Sequence, residues 1–92
     1  RLKVVIIEAL GQLRAAAAVP ALCRIVEDQR EFYPVHSVAC LALGRIGDAA
    51  ALPTLDKASG YAEVNSKYRA RDAAARIRTG RPAHPDYPDR AE

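Results

Sequence analysis

The chain has no tryptophan and no methionine, one phenylalanine (Phe32), two cysteines and two histidines in 92 residues. These gaps exclude several classes of protein. A core short of large aromatics has to be built from small side chains, and here half the residues are hydrophobic, with alanine dominant. Alanine buries little area per residue, so each contact stabilises weakly. It is also the best helix former and lets helices approach closely. Cys23 and Cys40 show neither a metal-ligand spacing nor a disulfide pattern, and read as small buried residues inside apolar helical stretches. No apolar run approaches the roughly 20 residues that would span a bilayer, so no membrane association is expected and the cytoplasm is the expected setting.

Chemistry is equally sparse. His84 lies in a proline-rich stretch, and His36 has no carboxylate at a catalytic spacing. No cluster of His, Cys and Asp resembles a zinc or calcium site. There is no glycine-rich phosphate loop, because Leu43-Gly44-Arg45-Ile46-Gly47 reads as a helix C-terminus, which directs carbonyls outward. The expectation is a protein without catalytic residues, metal or cofactor.

What the chain does have is an internal repeat. Leu10-Gly11 recurs as Leu43-Gly44, and Val19-Pro20 as Leu52-Pro53, both at an offset of 33; Gly44-Arg45-Ile46 lines up with Ala75-Arg76-Ile77 at an offset of 31. The apolar positions fall at i, i+4, i+7, i+8 and i+11 (Leu2, Ile6, Ala9, Leu10 and Leu13 in the first copy, with Ser66 opening the third), which is one face of a helix. The spacing predicts helices over roughly 2–13, 34–46 and 63–79. Helices of opposite phase lie between them, marked by Val19, Leu22, Cys23 and Val26, then by Leu52, Leu55 and Ala58. Gly47-Asp48 ends one helix and can cap the next. Pro20, Pro34 and Pro53 sit in first turns, where a missing N–H costs little.

The stretch Val35-His36-x-x-Ala39-x-x-Ala42-Leu43-Gly44-Arg45-Ile46-Gly47-Asp48 resembles the HEAT-like repeat consensus, especially the short variety of phycobilisome-lyase-type repeat proteins. His36 stands where that consensus usually has Arg, with Lys3 and Lys67 in the equivalent slots, and Ala74-Ala75 replaces Leu-Gly in the last copy. The resemblance implies an all-α fold, an α-solenoid or HEAT-like superhelix of about two and a half helical-hairpin repeats. The repeat domain is expected over 1–80, read as the C-terminal part of a longer solenoid because the first helix lacks its partner, followed by a flexible tail over 81–92, which has three prolines and no apolar periodicity.

Charge is unevenly placed. Residues 1–63 carry seven basic and seven acidic side chains, whereas Lys67, Arg69, Arg71, Arg76, Arg78 and Arg81 face one acid, Asp72, within 67–81. Lys3, His36 and Lys67 occupy one slot per repeat. They are expected to form a ladder with acids of the preceding turns such as Asp28 or Glu63, or else a positive stripe for an acidic partner. The reading that follows is a non-catalytic protein-interaction scaffold whose second helices line the concave side. Its candidate binding surface is Lys3, His36, Cys40, Arg45, Lys67, Arg69, Arg71 and Arg76. Two alternatives stand beside it: part of a bilin lyase or isomerase, which the resemblance implies, and nucleic-acid binding through the basic last helix. The first helix is apolar nearly all round (Val4, Val5, Ile6, Ile7), so it is expected to be covered by preceding repeats or to drive self-association.

Overall fold

The computed structural model describes residues 2–80, and the segment 81–92 expected to be a flexible tail lies outside the described residues. Five helices follow one another: α1 (Leu2–Gln12), α2 (Val19–Glu27), α3 (Tyr33–Ile46), α4 (Leu52–Ala58) and α5 (Val64–Thr79), with no strand among the described residues. The helices expected from the repeat are found within a residue of their anticipated ends. Short 3-10 turns, Ala16–Ala18 and Ala49–Ala51, lead into α2 and α4. Each precedes a Val-Pro or Leu-Pro step, so the repeat extends into the connections. Asp48 caps the second turn by accepting from the Ala50 N–H at 2.9 Å.

The helices form two rows. In one, α3 lies between α1 and α5 and packs on both; in the other, α2 backs α3, α4 backs α5, and α2 touches α4 more sparsely. Three contacts ascend together along α1 and α3. Lys3 pairs with Glu31 at 2.9 Å, Gly11 lies against Ala42, and Arg14 reaches the Arg45 carbonyl at 2.7 Å. Helices α1 and α3 are therefore neighbours running in the same direction, as stacked repeats require.

The repeated glycines explain the closeness of this row. A Cβ on Gly11 would lie 2.8 Å from the Ala42 Cα, and one on Gly44 would lie 2.9 Å from the Ala73 Cβ and 3.0 Å from its Cα. Only a bare α-carbon fits at either place. Ala75, which stands where Gly44 does in the repeat before, is half-buried.

Helix ends follow from backbone conformation. Gly47 and Gly80 both take φ 77°, and their N–H groups bond the Leu43 and Arg76 carbonyls at 3.0 and 2.7 Å. Arg14 occupies the same slot after α1 at φ 53°, a region that disfavours residues with a Cβ. Its guanidinium compensates by bonding the last turn of α3.

The core is aliphatic and small. Leu22, Val26, Leu43 and Leu55 are fully buried, together with Ala39, Ala58 and Ala70. The second row is tied by polar contacts instead. The Glu27 carboxylate accepts from the Thr54 hydroxyl at 2.5 Å and from Lys57 at 3.0 Å, and the Tyr61 hydroxyl donates to the Val26 carbonyl at 2.8 Å. Leu2 of α1 and Leu13, just past its end, are 72 % and 77 % exposed. Their repeat equivalents on α3, Val35 and Ile46, are buried and half-buried beneath α1 and α2.

Candidate protein-binding grooves

Two grooves run along the first turns of the α1–α3–α5 row, and the repeat generates both. Val4, Ser37 and Tyr68 fill one slot on the three helices, while Val5, Val38 and Arg69 fill the next. Between α1 and α3 these slots make an aliphatic groove of about 480 Å³ lined by Val4, Val5, Phe32, Pro34 and Val35. Between α3 and α5 they make a groove of about 390 Å³ with Tyr33, Pro34 and Val38 on one side and Asn65, Tyr68 and Arg69 on the other. Pro34 belongs to both, so the grooves adjoin. Their walls hold the most exposed aromatic side chains of the described residues, Phe32, Tyr33 and Tyr68, at 73 %, 55 % and 38 %.

Local structure holds these residues in place. Glu63 caps α5, its carboxylate accepting from the Ser66 N–H at 2.8 Å, the Asn65 N–H at 3.1 Å and the Ser66 hydroxyl at 2.9 Å. The Ser66 N–H bond holds the Glu63 carboxyl below its usual range, so a negative charge persists in the groove wall. The Arg71 guanidinium lies over the Tyr68 ring, 5.8 Å from its centre. The Ser37 hydroxyl, at the groove, is shielded from solvent and has no hydrogen-bond partner among the described residues.

Three residues of the expected binding surface are inside the protein. His36 and Cys40 are wholly buried and Arg45 is 7 % exposed, because α3 is covered on three sides by α1, α2 and α5. They are removed from the candidate surface. His36 sits between the Tyr33 and Tyr61 rings, each with its centroid 6.0 Å away, and its Nε2 donates to the Asp28 carbonyl at 2.7 Å. Burial pushes the Cys40 thiol up to about 12. The expected ladder is also revised. His36 meets a backbone carbonyl of the preceding turn rather than a carboxylate, and Lys3 pairs forward with Glu31.

The remaining five basic residues are spread out. Lys3 is exposed beside Glu31, Arg69 lines the α3–α5 groove, and Lys67 and Arg71 flank Tyr68 along α5. Arg76 lies a turn and more further along, against Gly44. Arg78 of the basic run is held by Asp56 in a two-pronged pair at 3.0 and 2.7 Å. Reading the basic cluster alone missed the groove, because half of its wall comes from α3. The available signal was the change of residue type down one repeat slot, from Val4 to Ser37 to Tyr68.

Among the described residues no helix is long and apolar enough to cross a membrane. Comparison with curated proteins and with solved structures returned no match. The family model for HEAT repeats, by contrast, matches residues 1–78, the same span that carries the offset glycines, the first-turn prolines and the two helical rows. The chain belongs to the HEAT repeat family.

Proposed function

We propose that this chain is a non-catalytic protein-interaction module that receives its partner along the first turns of α1, α3 and α5. The observation that carries the reading is the pair of grooves joined at Pro34, with Phe32, Tyr33 and Tyr68 exposed along them. Large aromatics left in solvent on an otherwise alanine-packed protein are costly to solubility, and such residues dominate the energetics of protein interfaces. The chemistry of the interior supports a binding role. The one thiol in the core is buried and held protonated, and the buried His36 bonds a backbone carbonyl.

A photo-crosslinking residue placed at Phe32 or Tyr33 tests this in cells, with Ala21 on the exposed side of α2 as the control site. Discrete protein adducts from the two groove positions and none from Ala21 are expected. Equal labelling from all three positions, or none from the grooves, removes the reading.

A second contact is favoured by α1 and the residue after it, where Leu2, Val5, Ile6 and Leu13 are each at least half exposed. That face supports self-association of the chain, in a manner that depends on concentration.

A further inference from the structure

We propose that the α3–α5 groove takes an extended, proline-spaced acidic segment of a partner protein, a reading that rests on the interaction role and names the kind of partner. Size comes first. The groove, about 390 Å³ along the first turns of α3 and α5, matches roughly one turn of polyproline II helix, three residues rising ~3.1 Å each.

The walls match that occupant. Proline rings pack well on aromatic faces, and Tyr33 lines one side of the groove beside Pro34 and Val38 while Tyr68 lines the other. A polyproline II backbone makes no internal hydrogen bonds, so its carbonyls need outside donors. The lining offers the Tyr33 hydroxyl and the Asn65 amide for this. A rotation about one side-chain bond adds the Ser37 hydroxyl, which has no hydrogen-bond partner among the described residues. Because the occupant is already extended when free, little conformational entropy is lost on binding.

Charge sets the composition. Arg69 is in the wall, and Lys67 and Arg71 flank Tyr68 on α5. Acidic side chains between the prolines meet these cations. A nucleic acid is disfavoured on the same surface, although stacked tyrosines and arginines would suit bases. The Glu63 carboxylate stands in the groove wall, so a strand with a phosphate at every residue must bring one against it, whereas a peptide can place its aspartates opposite the cations and a proline opposite Glu63.

The test is a titration of the whole 92-residue chain, followed by amide NMR, with a synthetic peptide carrying proline at every third position and aspartates between. Shifts concentrated at Ser37, Val38, Asn65 and Tyr68 are expected. Replacing the peptide's prolines by alanine, or Tyr68→Ala in the protein, should weaken binding by about tenfold or more, as loss of a buried aromatic anchor does. Arg71→Glu, at an exposed position that leaves the fold intact, should weaken the acidic peptide and spare one with asparagine in place of aspartate.

No shifts at saturating peptide, or equal binding of the alanine peptide, overturns the proposal. So does a single-stranded oligonucleotide that moves the same amides at lower concentration. Pro82, Pro85 and Pro88 also recur every third residue in the chain's own sequence. If their joint replacement by alanine moves the groove amides with no peptide present, the occupant is that segment and a partner is ruled out. Crosslinks from Phe32 that survive any of these failures leave the broader interaction role standing.

Discussion

Gly44→Ala sets two effects against each other, and the structure decides between them. In an exposed helix the change stabilises by up to about 1 kcal/mol, since glycine has the larger entropy to lose. Here the new Cβ arrives 2.9 Å from the Ala73 Cβ and 3.0 Å from its Cα. Carbon atoms rest at about 3.5–4.0 Å, so α3 and α5 must part by roughly half an ångström or more. The obstructing atoms are backbone and a methyl, neither of which can swing aside. Overfilling a packed site in this way costs about 1–3 kcal/mol. The net expectation is a loss of roughly 1–2 kcal/mol, read as a drop of about 4–16 °C in the thermal midpoint of the helical signal at 222 nm. Gly44→Val should lose more. Ala73→Gly should recover part of the loss when combined with Gly44→Ala, because it removes the clash with the methyl while the backbone of residue 73 still stands in the way. Gly11→Ala meets a similar obstacle at Ala42, but α1 is packed mainly on α3 and yields more easily, so its cost should be smaller. A Gly44→Ala protein as stable as the parent, or more so, refutes the backbone-packing account of the repeat.

Other consequences can be checked on the same protein. Cys23 is half-buried and Cys40 is buried with its thiol pushed up to about 12, so a disulfide reagent at neutral pH should modify Cys23 and leave Cys40 until the protein unfolds. The carboxyls of Glu27, Glu31, Asp56 and Glu63 are held below their ordinary values, chiefly by the Thr54 hydroxyl, Lys3, Arg78 and the Ser66 N–H respectively. Groups with a depressed folded value contribute fully above the unfolded one and lose that contribution as pH falls. The thermal midpoint should therefore be level from pH 7 to 5 and decline below about 4.5, the ordinary glutamate value, with a shallower decline in Glu63→Gln. Ile6→Glu should hold the chain monomeric in light scattering at concentrations where the parent associates, and an unchanged mass would clear α1 of that role.

The stack was legible in the sequence because its markers constrain backbone. Gly11 and Gly44 recur where helices touch, Pro20 and Pro53 where helices begin, and neither residue type is easily replaced in those places. Burial on α3 was less legible. His36 and Lys3 share a slot and a chemical type, yet one is sealed between two tyrosines and the other is solvated, since only α3 has a helix on either side in its row. Cys40 and Arg71 also share a slot, and their chemistry differs for the same reason: the first is on the enclosed α3 and the second is exposed on α5, which no described helix follows. The grooves were harder still. They depend on how Ser37 and Tyr68 differ, whereas a repeat search rewards positions that agree.

The unequal spacing of the two rows has a mechanical consequence. Helices α1, α3 and α5 touch backbone to backbone through Gly11 and Gly44, while α2 and α4 touch more sparsely and are linked by the side chains of Glu27, Thr54 and Lys57. Two strips of different pitch joined along their length must bow toward the shorter one, as a bimetal strip does. Such a bow would set the aromatic grooves on its inner side, where neighbouring grooves converge and a ligand seated in one is tilted toward the next. A methyl group added at Gly44 would thus flatten the arc as well as loosen it, and would change how much of a long ligand the protein can grip at once.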